Sequence, residues 1–230
     1  QMRQVSSDAS HELRTPLTVL KGQNELVLSK PRDPKEYQEV IASNLEEINY
    51  MSKVLEDLFI LSKSDENQIH LNCKPMDLRD LVEDVCKHAE VLAGDKDIRI
   101  IIAFLEPVKI NGDEVRLRQM VWNILHNGIK YTQPGGELKV SLQDEGEFAL
   151  LSIQDTGIGI PEKDLPAIFD RFYRVDKARS RDEGGSGLGL SICKHIAEAH
   201  KGKIEVESKL NVGTRFKIRI PSTTRAANEQ

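Results

Sequence analysis

The sequence has few cysteines, no long apolar run and no excess of positive charge. Its three cysteines, Cys73, Cys86 and Cys193, are odd in number and widely spaced, so they form neither a disulfide framework nor a zinc ribbon. The apolar runs are far too short to span a bilayer, and the N-terminus has no signal-peptide pattern. A net charge of -5 argues against a nucleic-acid ligand, because such binding needs excess lysine and arginine.

The composition is that of a folded protein in a reducing cytoplasm. The 230 residues, 39% hydrophobic and 30% charged, are enough for one large or two ordinary domains with real cores. The first residue is Gln1, and a helical pattern begins within a few residues of it. We therefore expect a portion of a longer parent protein.

Two heptad runs occupy the first 62 residues. The apolar and amide positions that step by four and three are Leu13, Leu17, Leu20, Asn24 and Val27, then Tyr37, Ile41, Asn44, Ile48, Met51, Leu55 and Leu58. Pro31 and Pro34 separate the runs, so an antiparallel helical hairpin is predicted. Val40, Val54 and Leu61 widen the second stripe on one flank. A hairpin cannot bury so wide a stripe against itself, which favours a homodimer with a four-helix bundle at its centre. Packing of the hairpin on the downstream domain of its own chain is the alternative.

Downstream of the hairpin, strands and helices are mixed in a way that predicts an α+β sandwich, with a mixed sheet and helices on one face. The predicted strands are 98–105, 137–143, 148–154, 203–207 and 215–220, and the predicted helices are about 77–93, 113–131, 162–169 and 187–200. The expected domains are 1–66 and 67–224, followed by a polar tail at 225–230.

Polar side chains in the predicted helix 113–131 suggest a phosphate and metal site. Asn123, Asn127, Lys130 and Tyr131 are spaced so that the amides and the amine share a face. Amide oxygens suit a magnesium ion that already carries phosphate oxygens, and an ammonium group offsets phosphate charge. A solvated helix face would explain the same pattern.

Two glycine clusters favour a nucleotide site. Asp155 ends an apolar strand and is followed by Gly157 and Gly159, so its carboxylate could accept the exocyclic amine of adenine. The run 184–189 opens a helix, an arrangement in which free amides cradle phosphates. Between the clusters, the charge-rich segment 171–186 is predicted to be a mobile lid.

A histidine beside a carboxylate lies away from the heptad seam of the first helix. His11, Glu12 and Thr15 all fall off that seam, which predicts side chains placed to react and not to pack. The alternative is that His11 is a surface histidine with no function, since such a residue would also lie off the seam.

Together these motifs resemble those of a sensor histidine kinase of a two-component system, over nearly all 230 residues. The motifs in family order are the box at 10–17, the asparagine-rich box at 123–131, Asp155-x-Gly157-x-Gly159, the box at 169–173, the loop at 184–189 and Gly213-Thr214. The second domain is similar to the Bergerat-type ATPase sandwich of gyrase B and MutL, which lack the histidine box.

The resemblance implies a role for each matching residue. His11 would accept the phosphoryl group, Glu12 would act as its general base, and Thr15 would orient water that dephosphorylates a response regulator. Asn127, with Asn123 nearby, would hold Mg²⁺ on the ATP phosphates. The remaining nucleotide contacts implied are Lys130, Tyr131, Arg174, Gly185, Gly187, Leu188 and Gly189 for the phosphates, and Asp155, Gly157, Gly159 and Thr214 for adenine.

The resemblance also implies partners and a cellular setting. They are a homodimer, the receiver domain of a response regulator, and a membrane anchor in missing upstream segments, which would make this chain the cytoplasmic portion of an inner-membrane receptor. The N-terminal half is also similar to heavy-metal-sensing members. The competing functions are a Bergerat-type ATPase that drives conformational change and a dimeric scaffold that acts mainly as a phosphatase.

Overall fold

The computed structural model describes residues 2–65, 71–175 and 185–223. Helices α1 (Met2–Leu28) and α2 (Pro34–Asp65) form the predicted hairpin. Two side-chain hydrogen bonds join the helices: the Gln23 amide donates to Ser43 Oγ at 3.2 Å, and the Asn44 amide donates to Asn24 Oδ1 at 3.2 Å.

The α/β domain follows the hairpin. Its elements in chain order are β1 (Lys74–Asp77), α3 (Leu78–Gly94), β2 (Arg99–Leu105), β3 (Lys109–Gly112), α4 (Glu114–Tyr131), β4 (Glu137–Asp144), β5 (Phe148–Asp155), a 3₁₀ helix (Glu162–Ala167), α5 (Gly189–Ala199), β6 (Lys203–Lys209) and β7 (Gly213–Pro221). Five strands form a mixed sheet in the order β2-β4-β5-β7-β6, in which only the β2–β4 pair is parallel. Alternate residues of β4, β5 and β7 are buried, because successive side chains of a strand point to opposite faces.

The structure departs from the predicted elements in three places. Strands β1 and β3 form a small antiparallel sheet that was not predicted, because each strand has only four residues. The segment predicted as a helix at 162–169 is a short 3₁₀ helix that contains Pro166, whose ring nitrogen has no hydrogen to donate. The helix predicted to start at 187 starts at Gly189, because Gly187 adopts a left-handed backbone with φ +71°.

A buried histidine joins the end of α5 to the start of α4. His200 Nε2 accepts a hydrogen bond from the Asp113 amide at 2.9 Å, and Nδ1 lies 2.8 Å from the Ile196 carbonyl oxygen. This pairing requires the proton on Nδ1 and a lone pair on Nε2. Asp113 is also the N-cap of α4, since its side chain accepts from the Arg116 amide. The contact therefore fixes the start of the helix that carries the two candidate amides.

Helix α2 uses two of its faces differently. Val54, Asp57 and Leu61 are almost fully buried, and the Leu61 carbonyl accepts a hydrogen bond from Arg171 at 3.4 Å. On the heptad seam, in contrast, Ile41 and Leu55 are more than half exposed. The flank of the stripe therefore packs on the downstream domain of the same chain, as the alternative interpretation expected, while much of the seam stays open.

Candidate functional site

A cavity of about 450 Å³ lies between α2 and the α/β domain. This volume falls in the range of pockets that hold small molecules and cofactors. Most of the residues predicted to bind nucleotide line it, namely Asn123, Asn127, Lys130, Tyr131, Asp155, Gly159, Arg174, Gly185, Gly187, Gly189 and Thr214. Residues up to about ninety positions apart in the sequence thus line the same cavity.

Two of the predicted nucleotide residues do not line this cavity. The Leu188 side chain is fully buried in the core, and its amide donates to Ser186 Oγ at 3.3 Å. Gly157 packs so closely under Tyr131 that an added Cβ would lie 2.5 Å from the Tyr131 carbonyl oxygen. Neither residue therefore presents a side chain to the cavity.

Asp155 is a buried carboxylate with one oxygen already engaged. Its Oδ1 accepts hydrogen bonds from the Gly157 amide at 2.8 Å and the Thr214 amide at 3.1 Å. Burial raises the pKa of this carboxyl, while the two backbone hydrogen bonds act in the opposite direction. Both of these bonds use Oδ1, which leaves Oδ2 available to a ligand donor.

The glycines after Asp155 are needed mainly for contacts between backbone segments. Gly159 has φ +68°, and a Cβ there would lie 2.1 Å from the Lys209 carbonyl oxygen. Gly213 has φ +134°, and its Cβ would lie 2.1 Å from the Asp155 carbonyl oxygen. The sequence suggested that Gly157 and Gly159 let a ligand approach the backbone. The structure shows that Gly159 and Gly213 let the 209–214 turn approach the end of β5, which brings Thr214 to Asp155.

The polar face of α4 borders the start of α5. The Asn123 amide donates to the Gly189 carbonyl at 3.4 Å, so it ties α4 to the first residue of α5. The Lys130 ammonium lies so near the glycine loop that a Cβ on Gly185 would be 3.2 Å from Nζ. Asn127, which is only half-buried, also faces the cavity. An amide, an ammonium group and a helix N-terminus therefore converge where an anion would be stabilised.

The segment that was predicted to be a lid falls mostly outside the described residues, which end at 175 and resume at 185. Its two ends meet, because the Phe172 amide donates to the Gly187 carbonyl at 3.0 Å. Tyr173 is held next to them by a 2.8 Å hydrogen bond from its hydroxyl to Asp164. The two ends of the loop are thus fixed at the edge of the cavity.

The histidine box of α1 faces the cavity-lining arginine. His11 and Thr15 are exposed, as their positions off the seam predicted. Glu12 Oε2 accepts a 2.8 Å hydrogen bond from the Tyr50 hydroxyl, and Glu12 Oε1 lies 4.0 Å from an Arg174 nitrogen. Burial, and then the bond to Glu12, raise the pKa of Tyr50 well above its usual range. The structure therefore joins the His11–Glu12 pair to the cavity through Arg174.

Sequence analysis missed the contribution of α2 to this cavity. Tyr50, Lys53, Val54 and Asp57 line it. Val54 lies on the flank of the heptad stripe, but the periodicity indicates only that a face is apolar, and not which surface covers it.

Asp57 offers a pH-dependent test of this contact. Its carboxyl is 3% exposed, lies 3.5 Å from the Gln119 amide, and has its pKa raised by burial from 3.8 to about 6. Because the folded-state pKa is higher, ionisation costs the folded state about 2 to 3 kcal/mol as the pH rises from 4 to beyond 6. We expect Asp57→Asn to raise the thermal midpoint by roughly 5 °C at pH 8 and to leave it unchanged at pH 4.

The control for this measurement is Glu46→Gln on the exposed side of α2. It should give the wild-type midpoint at both pH values. An Asp57→Asn midpoint that matches wild type at pH 8 would contradict a buried, destabilising carboxylate.

Comparisons with known proteins agree with this architecture. The profile of the "His Kinase A (phospho-acceptor) domain" matches residues 1–67, and that of the "Histidine kinase-, DNA gyrase B-, and HSP90-like ATPase" matches residues 112–224. "Sensor histidine kinase CusS" from an Escherichia coli strain is 40% identical over 216 residues, which are 94% of this chain and 44% of CusS. The chain thus spans less than half the length of that relative.

Solved structures give the same result. The "Acinetobacter baumannii histidine kinase AdeS" matches with a TM-score of 0.74 and 28% identity over 92% of this chain and 97% of that one. "Histidine kinase ThkA (TM1359) in complex with response regulator protein TrrA (TM1360)" matches with a TM-score of 0.73 and 25% identity over 96% of this chain and 61% of that one. The chain belongs to the sensor histidine kinases of two-component systems, which confirms the predicted family and the order of a helical region before an α/β ATP-binding domain. In the described part of the chain, no helix has the length and apolarity that a membrane span requires.

Proposed function

We propose that this chain transfers the γ-phosphoryl group of ATP to His11 and then to an aspartate in the receiver domain of a response regulator. One observation carries the proposal: Glu12, next to the exposed His11, faces Arg174, which lines the cavity that holds the nucleotide-binding motifs. The match to ThkA, whose solved structure contains a response regulator, supports the second transfer.

The residues present fit ATP. Asp155 Oδ2 would accept the adenine amine, and Lys130 and the first turn of α5 would lie at the phosphate end. Asn127, with Asn123 nearby, would supply an amide oxygen for Mg²⁺, and the metal ion would offset phosphate charge.

The chemistry at His11 consists of positioning and proton transfer. Glu12 accepts the proton of one imidazole nitrogen, so the lone pair of the other nitrogen stays free to attack phosphorus. The N–P bond forms as the bond from phosphorus to the bridging oxygen breaks, and ADP leaves with that oxygen. Lys130 and Arg174 stabilise the charge of this loose transition state.

The direct test is incubation of the chain with Mg-ATP labelled at the γ-position. The proposal expects a protein-bound phosphoryl group that is labile in acid and stable in alkali, and that passes to a receiver domain in a screen of response regulators. Steady ATP hydrolysis with no protein-bound phosphate would instead support the conformational ATPase.

We expect Asn127→Ala to lower the rate of labelling by about 100-fold or more, since its oxygen ligand for the metal is lost. The affinity for ATP measured without magnesium should change little, and the dimer should stay intact. Asn49→Ala, which removes an exposed amide from α2, is the control. A variant that becomes monomeric would show that Asn127 is a structural residue.

A homodimer is proposed from the open seam of the hairpin. Ile41, Ile48 and Leu55 are each exposed by 45% or more, which is unusual for large aliphatic side chains in heptad positions. We expect Ile48→Glu to weaken the dimer by at least about 100-fold, because a charge would enter an apolar interface. Light scattering gives the mass, and Val91→Glu on α3, which also replaces an exposed apolar side chain, should remain dimeric.

Further parts of the proposal concern the rest of the cycle. Thr15, exposed one turn after His11, orients water for dephosphorylation of the regulator, so a scaffold that acts mainly as a phosphatase is the second candidate. The chain is divided into a dimerisation and phosphotransfer domain at 1–66, an ATP-binding domain at 67–224 and a polar tail at 225–230. The tail lies outside the described residues. We assign the chain to the cytoplasmic portion of a membrane-anchored receptor.

A further inference from the structure

We propose that Tyr50 is a positioning residue for the phosphotransfer step, and that its hydroxyl holds the Glu12 carboxylate in the orientation that His11 requires. The inference rests on the proposed function of His11 and Glu12. Sequence analysis assigned no role to Tyr50, which lies in α2 between two seam positions.

The geometry divides the two oxygens of Glu12 between different tasks. Tyr50 donates to Oε2 at 2.8 Å, while Oε1 is turned towards Arg174 at 4.0 Å. The bond crosses from α2 to α1, so it joins the two helices of the hairpin beside the histidine. A glutamate with one oxygen fixed retains few rotamers, and the remaining oxygen is then oriented for its partners.

The surroundings keep Tyr50 in the donor state. Burial and the neighbouring Glu12 and Glu47 carboxylates raise its pKa, and Arg174 opposes them only in part. The phenol therefore stays protonated over the pH range of an assay and donates throughout.

Tyr50 also lines the nucleotide cavity. We therefore expect the two parts of the side chain to have separate effects. The ring contributes to ATP binding, and the hydroxyl orients Glu12. The substitution Tyr50→Phe keeps the ring and removes only the hydroxyl.

For Tyr50→Phe we expect kcat for labelling of His11 to fall about tenfold, with KM for ATP within twofold of wild type. Tyr50→Leu, which also removes the ring, should in addition raise KM. The control is Tyr37→Phe, about 20 Å away along the same helix.

The outcomes separate this inference from the proposed function. Absence of labelling in the wild-type chain refutes the proposed function itself. If the wild type is labelled and Tyr50→Phe matches it in kcat, only the inference is overturned. A Tyr50→Phe variant in which KM rises while kcat stays unchanged also overturns it, because the hydroxyl would then serve ATP binding.

Discussion

Replacement of His11 by glutamine is expected to abolish the phosphoryl label, with a loss of at least about 1000-fold. Glutamine is similar in size and can form hydrogen bonds, but its amide has no nucleophilic lone pair to attack phosphorus. His11 is exposed, so the substitution leaves no cavity and should not lower stability. Nucleotide binding should stay at the wild-type level, because the Asp155 end of the cavity is unchanged.

The measurement is the yield of acid-labile, alkali-stable phosphoryl groups after incubation with Mg-ATP. The matched control is His88→Gln, which removes an exposed histidine from α3. It should label normally. A normal yield from His11→Gln would mean that another residue accepts the group, and would remove the basis for the roles of Glu12 and Tyr50.

The second large effect is expected from Asp155→Asn, which should weaken ATP binding by about 100-fold. Asparagine keeps an oxygen for the amides of Gly157 and Thr214, so the fold of the loop should persist. Its NH₂ group then replaces Oδ2 and faces the amine of adenine, so two donors oppose each other in a buried site. The cost of such a mismatch is about 2 to 3 kcal/mol.

Titration of bound nucleotide provides the readout for Asp155. Because burial raises the pKa of this carboxyl, protonation sets in at a higher pH than for an exposed aspartate, and ATP affinity should fall on acidification. Asp155→Asn should lack that fall. The exposed Asp95→Asn is the control. If Asp155→Asn binds ATP like the wild type, adenine does not pair with this carboxylate.

Local patterns were enough to predict much of the fold. The heptad steps predicted the hairpin, and the alternation of buried and less buried residues in β5 is the pattern of a strand with one face on the core. Strand β1 was missed because Lys74-Pro75-Met76-Asp77 has no alternation and contains a proline. The start of α5 was predicted two residues too early, at Gly187 and not at Gly189. Composition alone does not show that Gly187 adopts a left-handed backbone conformation.

The sequence predicted the part of the candidate site that lies in the α/β domain better than the part that α2 contributes. The motifs of the α/β domain carry unusual residue types, such as an aspartate that ends an apolar strand, so they stand out from their neighbours. The residues that α2 contributes do not stand out in this way. In the sequence Tyr50 and Asp57 are ordinary residues of an amphipathic helix, and only the folded structure shows that they line the cavity. Burial raises the pKa of Asp57, and one of the residues next to its carboxylate is Gln119, 62 positions away.

The sequence alone therefore determined the family, the two helices of the hairpin and the position of His11 and Glu12 off the heptad seam, because these follow from spacings of a few residues. The tertiary structure decided which flank of α2 is covered, why Gly159 and Gly213 must be glycines, and that Glu12 lies between Tyr50 and Arg174. Such contacts join residues that are 38 or more positions apart. Only the packing of the whole chain brings them together, because no local periodicity encodes the partner of a side chain.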